Sequence, residues 1–319
     1  MKNITDLRIV ILGSGNVATH LSEALLNAGF SVLQLWKRGE VLRDADVYFI
    51  AVSDDAIEEV SKLIPDGKLF AHTSGSVELA RGGVFYPLQT FTKNIDVDWG
   101  DIPILIENPV GAGFARPGTD FHPRPAGTPA SGGYGTDVDP SLCSGQAPRA
   151  SGFGTDCKSA PAGMLVDIAK KISTNVQMTT PEQRRQLHLS AVFACNFTNH
   201  LWTVAEQLLN EKDLSFDLLK PLIYQTVRKI ENCSPRDVQT GPGVRGDLKT
   251  IARHREMLAV PPPSLRDTPA SGGDALPIAE CSTNSVGYPP PEGGRGEGIP
   301  AEIYEILTKS IQKTHNDSD

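Results

Sequence analysis

The chain has 319 residues, the length of one large domain or two ordinary ones. Its net charge of −8 argues against a nucleic-acid-binding surface, and no apolar run approaches the ~20 residues of a membrane span. The apolar fraction of 39% lies below the roughly 45–50% of an average globular domain, and the 30 glycines and 24 prolines are part of the reason.

MKNITDLRIVILG enters a strand at once and has no apolar signal region followed by a small-residue cleavage site, so a cytoplasmic protein is expected. Cysteines 143, 157, 195, 233 and 281 are odd in number and widely spaced, with no C-x-x-C. They are expected to be thiols, neither a disulfide framework nor a zinc site.

Arg8–Leu12 is an apolar strand, and Val17, Leu21, Leu25 and Ala28 then recur at helical spacing, with Gly29 placed to stop the helix. Between them stands Gly13-Ser14-Gly15-Asn16-Val17-Ala18, a G-x-G-x-x-A turn. Gly13 permits the tight turn, Gly15 lets the backbone approach a pyrophosphate, and Ala18 allows close helix–strand packing. The helix N-terminus offers free N–H groups to an anion. Placement between a strand and an amphipathic helix makes dinucleotide binding the sharper reading; a tight turn without a ligand is the plain alternative.

Ser31–Trp36 is the second strand. An NAD site expects an acid at its end for the ribose 2′-hydroxyl. Here Lys37 and Arg38 follow instead, two cations able to pair with a 2′-phosphate. NADP(H) is therefore favoured over NAD(H), unless this is only a solvated basic strand end. Only Gly39–Ala45 separates Arg38 from the next strand, Asp46–Val52. A βαβ crossover needs at least ~10–12 residues, so a third strand and its helix are missing, and the second strand is expected at the sheet edge.

Val52, Ser53 and Asp54 leave the carboxyl end of that strand, where ligands sit in open α/β sheets. Asp54 or Asp55 could equally cap the helix Ala56–Leu63. Lys68–His72, Val84–Tyr86 and Ile102–Ile106 are further strands. His72-Thr73-Ser74-Gly75 and Tyr86-Pro87-Leu88-Gln89-Thr90 leave two of them toward the same rim, with Ser74 and His72 as candidates.

Pro109–Gly163 and Val260–Pro300 are rich in Gly, Pro, Ser and Thr, without helical or strand period, and both contain TPASGG. Such composition buries too little apolar surface to offset chain entropy. Both are expected to be disordered insertions, derived from a similar inserted DNA element. Leu165–Ile172 is then a helix and Asn175–Met178 a strand. From Pro181 the pattern is helical: Pro181–Asn210, Ser215–Asn232, Pro242–Leu258 and Glu302–Gln312. The expected architecture is an α/β Rossmann domain over residues 1–180, its sheet mostly parallel, and an all-α domain over 181–319.

HLSAVFACNFTNH lies in the first of these helices. At 100° per residue, His188, Asn196, Asn199 and His200 form one narrow polar stripe, interrupted by Val192, with Phe193 and Phe197 on the broad apolar side. A neutral stripe suits an enclosed cleft better than a solvent face. His188 and His200 are twelve residues apart, about 18 Å along a helix, too far to share a metal ion. Each could also be an ordinary structural histidine. Gln239–Asp247 is a second polar concentration. Thr240 could cap a helix opening at Pro242, or Thr240, Arg245 and Asp247 could join the cleft, with Arg245 anchoring a carboxylate; His254 has less support.

GSGNVATHLSEAL, DADVYFIAVSDDAI, HTSGSVEL, GVFYPLQTF, EQRRQLHLSAVFACNFTNHL, LLKPLI and QTGPGVRGD resemble segments of bacterial Rossmann-like proteins with a C-terminal domain of unknown function, DUF2520. That family is similar to pyrroline-5-carboxylate reductases and deazaflavin-dependent NADP oxidoreductases. The resemblance spans most of the chain outside the two insertions. It implies an NADP-binding Rossmann domain followed by a helical domain that dimerises in related reductases, and it implies no substrate. The chain departs from the pattern after the second strand and at both insertions.

The sequence thus points to a homodimeric NADP-dependent oxidoreductase reducing C=N or C=O in a small molecule. The nicotinamide supplies the hydride chemistry. His200 or His188 is the expected proton donor, and Asn196 and Asn199 are expected to orient the substrate or the nicotinamide amide. A non-catalytic dinucleotide sensor and a gene product impaired by its insertions are the alternatives.

Overall fold

The computed structural model describes residues 3–110, 160–259 and 299–316; both expected insertions lie almost wholly outside them. The chain divides into two compact units. The described residues of the first are 3–110 and 160–201, and those of the second are 202–259 and 299–316.

The first unit is a seven-stranded sheet. In chain order it contains β1 (Arg8–Leu12), α1 (Asn16–Asn27), β2 (Ser31–Trp36), β3 (Val47–Ile50), α2 (Asp54–Ser61), β4 (Leu69–His72), β5 (Gly82–Pro87), β6 (Ile104–Val110), α3 (Ala160–Ile172), β7 (Val176–Met178) and α4 (Pro181–Ala191). The spatial order is β2-β1-β3-β4-β5-β6-β7. All pairs are parallel except β5 with β6. Both ends of the first low-complexity stretch belong to regular elements, Pro109–Val110 to β6 and Ala160–Gly163 to α3, and the end of the second, Ile299–Pro300, opens the last helix.

Strand residues alternate between two cores, as a period of two requires. Ile9, Ile11, Val47, Phe49, Ala71, Phe85 and Ile104 face α1 and α3, where Leu21, Leu25, Leu165 and Ile168 cover them. Val10, Leu12, Tyr48, Ile50 and Phe70 face the other way, under Ile57 and Val60 of α2. Burial on both faces explains the continuous apolar runs of β1 and β3.

β2 is the edge strand, and β1 pairs directly with β3. The ten residues from Lys37 to Asp46 must return the chain past a strand of about 20 Å. Ten residues of helix would reach only ~15 Å, whereas an extended chain reaches ~33 Å. The link is extended and packs where a crossover helix would lie. Leu42 and Ala45 join Trp36, Tyr48 and Ile57 in the second core. Gln34 donates to Val41 O at 3.1 Å and accepts from Arg43 N at 3.1 Å. Tyr48 Oη accepts from Ala45 N at 2.9 Å and donates to Arg43 O at 3.1 Å.

The long helix expected from Pro181 opens with Thr180 as a capping box with Gln183 and Pro181 in the first turn. It is not one α-helix. Val192–Phe197 forms π-helical turns between α4 and α5 (Thr198–Asn210). The second unit continues with α6 (Lys220–Asn232), α7 (Leu248–Ala259) and α8 (Ile299–Asn316). α7 starts at Leu248, later than the expected Pro242. The preceding turns need Gly241 at φ 112° and Gly246 at φ 62°, and Asp247 accepts from Thr250 N at 3.1 Å as the cap. Among the described residues no helix is long and apolar enough to cross a membrane. Cys195 is a free thiol, but Cys233 is disulfide-bonded. Sequence spacing does not reveal which cysteines a fold brings within bonding distance.

Phe85 of β5 is fully buried, with its ring 4.8 Å from Phe49 of β3. Phe85→Ala removes both the buried area and the ring contact, and should destabilise the first unit by about 3–5 kcal/mol. Urea unfolding followed by tryptophan fluorescence measures this, and a loss below ~1 kcal/mol contradicts the packing described.

Candidate functional site

The carboxyl ends of β2, β1, β3, β4 and β5 stand side by side, in that spatial order. Along them runs a cleft of about 1050 Å³, at the upper end of the range for ligand pockets. Its lining follows the strand order: Lys37 and Arg38 after β2, Gly13–Val17 after β1, Val52–Asp54 after β3, Thr73–Gly75 after β4, and Tyr86, Gln89 and Phe91 on and after β5. His188 of α4 lines it too.

Gly13 has φ 135°, and a Cβ there would meet Ala51 O at 2.1 Å, so no other residue fits. Gly15 is the residue before α1; a Cβ on it would meet nothing within 4 Å, so the backbone stands open to the cleft. The first-turn N–H groups of α1 have no intrahelical partners. This is the cradle that a pyrophosphate requires, and the residues present fit a dinucleotide. Ala18 is fully buried, giving α1 its close approach to the sheet. Asn16 Nδ2 donates to Phe91 O at 3.0 Å, and His20 Nε2 lies 3.0 Å from Thr92 O, so the strap after β5 is fastened to α1.

At the β2 end, Arg38 pairs with Glu59 at 3.2 Å, both three-quarters exposed. Such a pair is weak and leaves the guanidinium able to turn to a ligand. At the β3 end, Asp54 does not cap α2; it accepts from Ser76 Oγ in a very short contact. Ser74 Oγ accepts from Ser76 N and Val77 N, both at 3.1 Å. The groups after β3 and β4 are thus linked into one network.

Arg184 of α4 is fully buried. It donates to Glu107 Oε1 of β6 at 2.6 Å, to Ser74 O at 3.1 Å and to Val77 O at 2.8 Å. Burial pushes the Glu107 carboxyl up, against the opposing pull of Arg184. One helical turn later, His188 Nδ1 lies 2.9 Å from Tyr86 Oη. Gly75 sits beneath that imidazole, where a Cβ would come within 2.4 Å of Nδ1. Burial pushes the Tyr86 phenol up to about 12.

The expected polar stripe is not brought together at this cleft. His188 lines the cleft, whereas Asn196, Asn199 and His200 are exposed and do not line it. Val192–Phe197 is π-helical, so the residues beyond it depart from a straight α-helical projection, and residues 193–197 are exposed on every side of the helix. Phe193 and Phe197 are exposed instead of buried, 62% and 50%, packed edge to face on each other at 4.9 Å. Periodicity groups apolar residues on one side of a rod but does not supply what covers them. Thr240 and Arg245 lie in the turns before α7, in the second unit. There Asp247 serves as a cap, and His254 Nδ1 lies 2.7 Å from Tyr304 Oη.

Sequence reasoning missed Arg184 altogether and left Tyr86 and Gly75 without roles. Tyr86 stood at a strand end on the correct rim, which was signal enough to include it. Arg184 carried none, because its neighbour Arg185 is an arginine too, half-buried and paired with Glu78.

The comparisons with known proteins agree with this architecture. Residues 152–268 match the family model described as "Domain of unknown function (DUF2520)". The DUF2520 match takes in α3 through α7, including Arg184 and His188. A solved structure from Bacteroides fragilis, described as the "putative NADP oxidoreductase BF3122", is 28% identical, with a TM-score of 0.66 over 98% of this chain and 100% of that one. Protein TM1727 from Thermotoga maritima, 15% identical over 97% of this chain and 99% of that one, shares the fold at a TM-score of 0.51. The comparison with curated proteins gives no match.

His72, at the end of β4, is buried and accepts from Ser74 N at 3.2 Å through Nδ1. Burial first, and the Arg184 charge second, push it down to about 4. An unfolded chain protonates this imidazole near 6.5, so between ~6.5 and ~4 the unfolded state holds the extra proton. Stability is full above ~6.5 and falls with pH toward ~4, by on the order of 3 kcal/mol. His72→Asn keeps an acceptor for Ser74 N and should flatten that loss in urea unfolding across this window. An unchanged slope would sink the assignment.

Proposed function

We propose that the protein is an NADP-dependent oxidoreductase that reduces C=N or C=O in a small molecule. The glycine cradle carries this reading, with Gly13 locked against Ala51 O and Gly15 open to the cleft. The likeness to the Bacteroides fragilis protein supports it. Gly13–Val17 hold the pyrophosphate, Val52, Ser53 and Asp54 line the middle of the dinucleotide site, and Ser74 lines its nicotinamide end. A bound nicotinamide supplies a hydride; the chain supplies orientation and a proton at the end of the cleft marked by Tyr86 and His188.

Lys37 and Arg38 select the 2′-phosphate. Arg38 exchanges an exposed partner, Glu59, for a dianion, which favours the phosphate. The double variant Lys37→Ala/Arg38→Ala should lower NADPH affinity by about 10–100-fold, the scale of one or two charge-assisted hydrogen bonds, with NADH affinity changed about twofold or less. Fluorescence titration of both nucleotides measures it. Equal weakening of both nucleotides rules out phosphate selection. Tight NADPH binding without oxidation by any of a panel of imines and oxo acids assigns the chain to dinucleotide sensing instead.

The working form is a homodimer. Leu189, Phe193 and Phe197 are exposed in the first unit, and Leu222, Tyr224, Val227 and Ile230 on α6 of the second. Apolar exposure on this scale marks an interaction surface. Phe193→Asp/Phe197→Asp should turn a dimer into a monomer in sedimentation velocity at micromolar concentration. A wild-type chain that sediments as a monomer refutes this assembly.

A further inference from the structure

We propose that Tyr86 is the proton donor of the reduction and that His188 resupplies its proton. This rests on the oxidoreductase reading of the cleft and gives its chemistry a pair of atoms. Tyr86 Oη and His188 Nδ1 are 2.9 Å apart, and both residues line the cleft that holds the glycine cradle.

A tie between β5 and α4 could serve structure alone, but that need is already met. One turn before His188, the Arg184 guanidinium joins α4 to β6 and to the Ser74–Val77 loop with three hydrogen bonds, fully buried. The Tyr86–His188 contact adds little to that anchor, and it lies at the cleft wall, where a structural tie gains least. Gly75 makes the same point from below. The position takes no Cβ because the imidazole occupies that space, at 2.4 Å from Nδ1. A backbone left bare under a cleft-lining ring holds the ring in one place. Arg184 and Gly75 are positioning residues here; Tyr86 is the group that meets the substrate.

The proton balance is simple. As the substrate carbon of C=O or C=N gains a hydride from a reduced nicotinamide dinucleotide, the Tyr86 O–H bond breaks and the substrate oxygen or nitrogen gains that proton. His188 Nδ1–H then returns a proton to the phenolate oxygen, Nε2 takes one from solvent, and exchange of Nε2–H for Nδ1–H through solvent restores the starting tautomer. The substrate gains two electrons and two hydrogens in all, the dinucleotide is oxidised, and the pair ends as it began. A phenol is protonated near neutral pH with or without the upward push of burial, as a donor must be.

Tyr86→Phe and His188→Gln in the full chain test this with three readouts. The first is independent of turnover: in the unliganded protein, the ¹⁵N resonance of His188 Nδ1 should move when Tyr86 becomes Phe, because its hydrogen-bond partner is gone. An unmoved resonance overturns the pair. The second is NADPH binding by fluorescence, expected within about twofold of wild type for Tyr86→Phe. The third is single-turnover NADPH oxidation by the best substrate of the imine and oxo-acid panel. Loss of a general acid costs about 10²–10⁴-fold. Tyr86→Phe should slow this step by that factor and abolish its solvent deuterium isotope effect, and His188→Gln should slow it less. A merely structural role would change binding or stability but leave the isotope effect in place. If wild type turns over and Tyr86→Phe matches it, the donor is another group. If wild type binds NADPH but reduces no panel member, the oxidoreductase reading fails and takes this assignment with it.

Discussion

The buried guanidinium of Arg184 is the point on which the site depends. It reaches β6 through Glu107 and the loop after β4 through the Ser74 and Val77 carbonyls. A buried ion pair gains little net stability over an apolar substitute, whereas stranding one partner costs ~3–5 kcal/mol. Its contribution is therefore register. With Arg184 fixed, the rotation of α4 about its axis is fixed, and the residue four further on, His188, is turned to the same side. That side faces Gly75 and Tyr86.

The sheet supplies the rest of the geometry. Its two buried faces hold β1, β3 and β4 in parallel register, so their carboxyl ends form one rim. The loss of a third strand and crossover helix does not open that arrangement. The extended link from Lys37 to Asp46 places Leu42 and Ala45 in the core that the helix would have covered, and side chains of Gln34 and Tyr48 bond its backbone. The cleft keeps its lining from β2 to β5, with two cations, Lys37 and Arg38, at the β2 end.

Much of this was legible in the chain. The turn Gly13–Ala18, the strands that feed the rim, the edge position of β2 and the mostly parallel sheet each have a local cause: a residue that alone fits a turn, a period of two, or a link too short for a helix. The candidate site was legible only in part. Cleft-lining residues next to a strand end were found because strand ends converge by topology, whereas His188, on α4, was found through a helical stripe whose other members do not line the cleft. Asn196, Asn199 and His200 do not line the cleft: a straight projection groups residues on one side of a rod but does not say what that side faces, and no residue in VFACNF announces the π turns at Val192–Phe197.

Sequence by itself determined most of the elements and the glycine turn at Gly13–Ala18, since those follow from the sterics of glycine and the spacing of apolar side chains among near neighbours. Tertiary structure alone decided that Arg184 is fully buried while Arg185 is only half-buried and paired with Glu78. It decided as well that a tyrosine on β5 meets a histidine on α4 across 102 positions of chain, and that Phe193 and Phe197 lie outside the core. Each of these depends on which distant surface comes to rest against a side chain, and a local pattern carries no record of that.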